Sequence, residues 1–517
     1  MGYQVKKNPI QIVVVISGLM FFYGTTVAFA DPGQDIRLGR QALTQEHPDL
    51  ALSYFRKARN EINLHPDKYH DDQLAALSGL GYAALWVGNS HEAESAYSKG
   101  ISIAHSPEDQ KTMRVGLARA LINLGRPREA YDILKPVRSM GADPQLQSAI
   151  ASALLSWDTV AQKHLNLAAP HGVYPGPQWQ AQLFRQTSDF VYYPLHDRIN
   201  VGYQYSSDSD HNINQIYQAG VTVPGDGPGD NSLSPTMWYG GFRQTQITDN
   251  NGSSGASNGQ IGISTVEGGW SAPINTNWNY SILGGVSTAR NWTFGRLDGQ
   301  VNYQPSDTWG LNLSFDQQPI RTVAAVEHKI LVNTFSLGGF GRLRNIGTVG
   351  AAYFHQAFSD GNQRDGVVVR VTPEFYSFSS LPISIGVQGY FRAYTSGTPL
   401  QLPLYQADGK PVVNKSGKPV DGSAYFSPHH YREALGYIIY VQKFSPYSVM
   451  RLYAGYGDQT IDGVTTPITD FYGTITGIVS KYLQFSLTGG YSQIASAYGG
   501  GSGYHRSYVG ANLTIPF

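Results

Sequence analysis

From Arg198 to Phe517 the apolar residues of this chain fall on every second position, and that period dominates what the sequence can fold into. The last segment is the cleanest instance: Val509, Ala511, Leu513, Ile515 and Phe517 alternate with Tyr508, Gly510, Asn512, Thr514 and Pro516. Equivalent ladders run through Ile199–Tyr205, Tyr280–Val286, Leu297–Tyr303, Trp309–Phe315, Ile383–Phe391 and Leu483–Tyr491. A two-residue period places two different environments on the two faces of a sheet. A soluble sandwich also alternates. These ladders extend over about ten residues, however, where a soluble strand averages about 5–6, and tyrosine, phenylalanine and tryptophan gather towards their ends. Both traits suit strands that cross a membrane obliquely.

Composition supports the same expectation. Only 14% of residues are charged, and 37 basic side chains balance 37 acidic ones, while glycine (58) and tyrosine (34) are abundant. A face turned to lipid excludes charge at every second position. Beyond the N-terminus no apolar run approaches the ~20 residues of a membrane helix. Zero net charge argues against a nucleic-acid partner. With no cysteine there is neither a disulfide framework nor a thiolate metal site.

The connectors alternate in length. Short ones (304–307, 379–382, 444–448, 480–481) are interleaved with longer glycine- and asparagine-rich ones (250–258, 318–329, 358–366, 397–428, 496–503). Short turns on one side and long loops on the other describe an outer-membrane barrel, and counting back from Phe517 gives about sixteen strands enclosing a water-filled lumen. Pro373 removes a ladder donor, so a bulge is expected there. Phe517, closing an amphipathic strand, resembles the C-terminal signal by which bacterial barrels are handed to the barrel assembly machinery and inserted among outer-membrane lipids; Pro516 before it departs from that pattern.

Residues 1–30 read as a secretory signal peptide. Lys6 and Lys7 precede an apolar run from Ile10 to Val27, and Ala28-Phe29-Ala30 offers a cleavage point after Ala30. An uncleaved anchor is the alternative, and either way the rest of the chain leaves the cytoplasm. Residues 31–170 are helical, with small residues recurring at long intervals. Ala51, Ala93 and Ala130 occupy equivalent places, each with a large partner four residues on (Phe55, Tyr97, Leu134) and glycines nearby (Gly39, Gly81, Gly100). These residues resemble tetratricopeptide repeats, in which small residues let paired helices approach and a bulky one fills the gap. The stretch from Ala149 to Ala168 reads as a terminal capping pair, and 171–196 as a linker. The fold class expected is therefore α + β multidomain: a periplasmic TPR-like solenoid, a linker, then a transmembrane antiparallel barrel over 197–517.

Alternation also nominates inward-facing polar residues: Arg296, Asp298, Arg370, Glu374, Tyr376, Tyr390, Arg392, Arg432, Tyr440, Arg451, Tyr453 and Tyr472. Each alone is what any hydrated barrel wall carries. As a set they suit sugars, since tyrosine rings stack on pyranose faces and arginine–carboxylate pairs bond hydroxyls. The balanced charge of the chain points to a neutral cargo. No nucleophile elbow, phosphate loop, paired-histidine zinc motif or dinucleotide fingerprint occurs, so neither an enzyme nor a cofactor or metal site is expected. His429-His430 are too close to chelate together. Asp208-Ser209-Asp210-His211-Asn212 lacks the glycine and closing glutamate of a calcium loop and reads as a polar tip.

Helical repeats followed by a sixteen-strand barrel resemble the outer-membrane exopolysaccharide export proteins, of the cellulose synthase outer-membrane subunit and poly-N-acetylglucosamine exporter type. The local likeness lies in Gln318-Pro319-Ile320-Arg321, in Ala424-Tyr425-Phe426-Ser427-Pro428 and in Tyr431-Arg432. The cellulose-type proteins carry a much longer repeat array. The resemblance implies a polysaccharide passing through the lumen and periplasmic or inner-membrane synthase components docking on the repeats. A general porin or a surface or phage receptor, with 397–428 as the contact loop, is the rival reading.

Overall fold

The computed structural model describes residues 31–225, 232–249, 259–343, 347–378, 382–403, 410–414 and 416–517. The cleavage residues Ala28 and Ala30 and the loop 250–258 lie outside the described residues.

Asp31 caps the first helix, Pro32–Thr44, its carboxylate accepting from Gly33 N at 3.0 Å. Antiparallel pairs follow: Pro32–Thr44 with Pro48–Leu64, His70–Trp86 with Ser90–Ile103, Pro107–Asn123 with Pro127–Leu134, and Ala142–Leu154 with Asp158–Ala168. The small-residue spacing has a direct cause in packing. The Phe55 ring lies so close to Gly79 that a Cβ there would sit 2.1 Å from it. The Tyr97 ring fills the gap between Gly81 and Gly116 in the same way. Gly88 and Gly125 close their helices at φ +79° and +68°, a region that penalises a side chain.

The segment 171–196 corrects two expectations. It holds an 18-residue helix, Gln178–Leu195, not a linker, and that helix covers the fourth pair, which is therefore not the cap. Val191 is fully buried with Leu146, Ile150 and Leu165. Pro177 at the N-cap and Pro194 in the last turn give the segment a linker-like composition without breaking its amphipathic body.

Two residues later the barrel begins. Strand Arg198–Asp208 pairs with Asn212–Gly225 on one side and with the last strand, Arg506–Pro516, on the other, so the sheet closes on itself (Ile199↔Ile515, Val201↔Leu513). It has sixteen antiparallel positions. One is interrupted: Gln363–Thr372 stops at Pro373 and resumes as Tyr376–Ser377 against the same neighbour. Register assigns each residue to a face. On the outer face lie Val201, Phe242, Val266, Val286, Leu313, Leu337, Val387, Ile438, Leu487 and Leu513, all exposed. Outward-facing charge (Asp365, Arg432, Asp458) is confined, among the described strands, to positions close to one rim. Aromatics crowd the outer face at the other rim, where Trp238 meets Trp270, and Trp278, Tyr303 and Trp309 adjoin. No described helix is long and apolar enough to cross a membrane.

The helical module sits against the aromatic rim, at the end of the short turns. Arg128 donates to Thr276 O (2.7 Å) and Gln304 O (2.9 Å), Glu129 N to Asp307 Oδ2 (3.0 Å), and Arg342 to Leu124 O (2.9 Å). Tyr447 stacks on Phe190 at 4.3 Å and bonds Thr187. The longer loops leave from the opposite rim, and part of them turns inward. Helix Val323–Glu327 packs its Val323, Ala324, Ala325 and Val326 against Ile247, Ile261, Ile263 and Phe294 on the inner wall. Leu402, Ala424 and Tyr425 complete that core, and Thr322 Oγ1 donates to Ala424 O at 2.7 Å.

Candidate lumen site

With one side of the far mouth filled by this apolar core, polar groups concentrate on the opposite inner wall. Strands Ile383–Ser396, His430–Ser445, Ser448–Ile461 and Val464–Ser480 turn Tyr390, Tyr437, Tyr453 and Tyr472 towards the lumen. Tyr453 and Tyr472 stack at 4.2 Å, and Tyr437 meets Tyr390, Tyr453 and Tyr472 edge-on at 6.4, 6.4 and 6.1 Å. Gly455 keeps Tyr437 flat on the wall, since a Cβ there would come within 2.5 Å of its ring. Buried carboxylates anchor the phenols: Tyr437 donates to Asp470 at 2.8 Å and Tyr431 to Glu433 at 2.5 Å. Arg392 lies 3.8 Å from Glu433, and the Arg370 guanidinium is 5.4 Å from the Tyr390 ring.

Across the lumen Glu267, whose side chain is 1% exposed, bridges Arg243 (3.2 Å) and Arg296 (2.8 Å), and Asp298 faces Asp316 across adjacent strands. A buried carboxylate between two guanidinium groups costs little only while both partners remain.

Of the twelve nominated residues, register turns Arg296, Asp298, Arg370, Tyr390, Arg392, Arg451, Tyr453 and Tyr472 inward. Four are elsewhere. Glu374 lies at the module-side rim, 3.0 Å from His91 of the helical module. Tyr376 pairs with the outward Ile385, because the break at Pro373 adds one residue and flips the parity of the resumed strand. Arg432 and Tyr440 also face outward. Arg432 stands at the loop-side rim, its Nε donating to Thr460 at 3.0 Å, and Tyr440 belongs to the outer aromatic face, bonding Gln442. Phe517 continues the outward parity, its N–H donating to Asp197 O at 2.9 Å.

Beneath the inward loops, against the strands that carry Arg364, Arg392, Arg506 and Tyr508, lies a cavity of about 460 Å³. It brings together groups far apart in sequence: Arg321 of one loop, Tyr425 and Phe426 of another, and Gln318, Arg364, Arg392, Tyr394, Arg506 and Tyr508 of the strands. Two of the three short segments singled out in the sequence, 318–321 and 424–428, thus meet in one place, while Tyr431 and Arg432 do not line it. Arg364 and Arg506 were not nominated, although they share the parity of Arg370 and Tyr508. The charge of the lining also departs from the balance of the whole chain: among the described residues it holds four arginines and no carboxylate. Asp208 and Asn212 form a polar turn tip, and His430 N donates to Asp462. Among the described residues no cluster of metal-binding side chains occurs.

No protein family matches the chain, and no curated protein does. Among solved structures it is similar to a bacterial polysaccharide outer membrane secretin, at 12% identity over 63% of this chain and 99% of that one, with a TM-score of 0.46. A thermophilic TPR protein of Thermus thermophilus matches at 20% identity over 31% of this chain and 81% of its own (TM-score 0.25). The CymD monoaromatic hydrocarbon channel matches at 9% identity over 64% and 91% (TM-score 0.29).

Proposed function

We propose that this chain is an outer-membrane transport barrel that passes an exopolysaccharide through its lumen, with the helical module seated at the periplasmic mouth to receive the polymer and to dock synthase components. The apolar outer face, with outward charge among the described strands only near one rim and an aromatic belt at the other, supports the membrane placement. The observation that carries the cargo reading is the tyrosine wall. The stacked Tyr453–Tyr472 pair stands edge-on to the buried Tyr437 and offers aromatic surface on which a sugar can pack, and the Asp470 carboxylate fixes the Tyr437 phenol without projecting charge onto it. A sliding polymer needs many weak, similar contacts in preference to one tight site. No catalytic step is assigned; work on the polymer would be done by the synthase. The neutral cargo expected from the balanced chain does not carry over, because overall balance says nothing of which side chains share a cavity.

Planar-bilayer recording of the full chain tests the reading. Oligosaccharides should interrupt the ion current, and Tyr453→Ala should weaken block about three- to tenfold, the worth of one aromatic contact. Free ion flow with no block by any oligosaccharide would leave a general porin.

A further inference from the structure

We propose that the arginine-lined cavity beneath the inward loops binds the carboxylate of an acidic sugar residue, so that the polymer carried is a polyanion of uronic-acid type. This rests on the export reading and names its substrate class.

The arginines of this cavity are short of counter-charge. Among the described residues Arg364 makes hydrogen bonds only to neutral oxygens, Gln356 Oε1 (3.2 Å), Phe426 O (3.2 Å) and Ser427 Oγ (3.3 Å), and its buried Nε has no acceptor. Arg321 reaches Gln318 Oε1 at 3.2 Å. Arg506 is opposite Asp208 in register, but that carboxylate accepts from Asp210 N, Asn212 N and Asn212 Nδ2 within its own turn. Of the four arginines only Arg392 comes within 4 Å of a carboxylate among the described residues, Glu433 at 3.8 Å, while Asp316 acts on Arg321 from beyond ion-pair distance. Across the lumen, by contrast, Glu267 pairs Arg243 at 3.2 Å and Arg296 at 2.8 Å. Grouped guanidinium ions without counter-charge are costly, and a ligand anion relieves that cost.

Shape agrees with charge. The Tyr394 ring holds Arg364 at 4.5 Å and Arg392 at 5.2 Å, and Phe358 flanks Arg364 at 5.4 Å, so the forks are preset by stacking. A preset guanidinium matches a carboxylate with two parallel hydrogen bonds. Tyr508 and Tyr394 supply apolar surface for the ring that carries it. About 460 Å³ lies within the range of sites for small molecules and suits a short stretch of chain.

Calorimetric titration of the full chain in detergent micelles tests this with three probes: tetragalacturonate, cellotetraose and inorganic phosphate. Tetragalacturonate should bind at least about tenfold tighter than either other probe, and its affinity should fall steeply from about 0.1 M to about 1 M KCl. Arg364→Gln and Arg506→Gln, checked for heat-modifiable migration as folded barrels, should each lose about fivefold or more for tetragalacturonate and leave cellotetraose unchanged. Arg364→Lys should recover part of the loss. Equal affinity for the two tetrasaccharides, or salt-insensitive binding by the unaltered chain, overturns the acidic cargo and leaves export standing. Phosphate binding as tight as tetragalacturonate makes this a free-anion site and overturns the proposal. Absence of block by any oligosaccharide in bilayers removes export itself.

Discussion

The two mouths of the barrel are occupied by opposite means. At the loop-side mouth, chain from between the strands folds back into the lumen and packs as a small dry core, with Val323, Val326 and Ile330 against Ile247, Ile261 and Phe294. At the module-side mouth a separate helical body is seated on turns by hydrogen bonds and ion pairs: Arg128, Glu129, Arg342, His91 with Glu374, and Asp158 with Ser234. Apolar packing is non-directional and fails only when something polar is forced into it. Hydrogen-bonded seating is directional, exchanges readily with water and responds to pH. The difference implies a cohesive plug at one end and an adjustable docking at the other.

The sharpest way to break the contrast is to charge the plug. Val326 is 2% exposed, and Val326→Asp buries a carboxylate in an apolar core at a cost on the order of 3 kcal/mol. That raises the population of the unseated loop about a hundredfold. Single-channel conductance should rise severalfold, with heat-modifiable migration unchanged. A variant with unaltered conductance would mean that the inward helix does not obstruct the lumen.

The same contrast marks how far the sequence could be read. The alternation was legible because the lipid-side face tolerates only apolar residues, which makes strand existence, closure and most lumen positions readable. Legibility failed where that constraint lapses. Near the rims an outward Arg432 or Tyr440 costs nothing, so residue type no longer reports the face. Pro373 was recognisable as a strand break, but its consequence, the parity flip that turns Tyr376 outward, required knowing how many residues the break adds. The plug was hidden for another reason. Val323–Glu327 is one turn and a half inside a connector, too short for any period to declare itself. The arginine cavity needed that plug, since Arg321 and Tyr425 meet Arg364 and Arg506 only when the loops fold inward.

At the module-side mouth the effect should be smaller. Arg128 holds three acceptors on two turns, Thr276 O, Gln304 O and Asn277 Oδ1 at 3.3 Å. Arg128→Ala removes them all, but water reaches the rim and replaces part of the loss, leaving about 2 kcal/mol. Amide hydrogen exchange should speed up in the turns 274–278 and 304–307 and in helix Pro127–Leu134, with the inner plug unaffected. Faster exchange at the plug as well would show that the two mouths are coupled and that the contrast between them is false.

The last and smallest effect sharpens the contrast through pH. Burial pushes the Asp158 carboxyl up to about 6, against the Ser234 hydrogen bond and the Arg198 charge, which both pull it down. Burial raises Asp307 too, against the Glu129 and Arg128 backbone N–H groups. A carboxyl whose native value lies above its unfolded one holds its proton more tightly when folded, so stability falls as pH rises through that interval. For Asp158 the window runs from its ordinary value of 3.8 to about 6. Within the helical module His164 acts in the opposite sense. Burial lowers it to about 4, helped by the charges of Arg138 and Lys163, so its contribution is lost as pH falls from 6.5 towards 4. The two trends oppose each other in the unaltered chain, whose thermal midpoint should change little across this range. Asp158→Asn, which can still accept from Ser234, removes the first trend and exposes the second: its midpoint should drop more steeply on acidification than that of the parent. The apolar side chains of the plug core do not titrate, and the titratable groups at its edge, Glu327 (paired with Arg290 at 2.5 Å), His328 and Asp360 (accepting from Tyr425 at 3.1 Å), do not touch Asp158, so conductance should not follow the Asp158 window. A conductance that follows the Asp158 window would transfer the pH response to the far mouth and overturn the division of labour between the two ends.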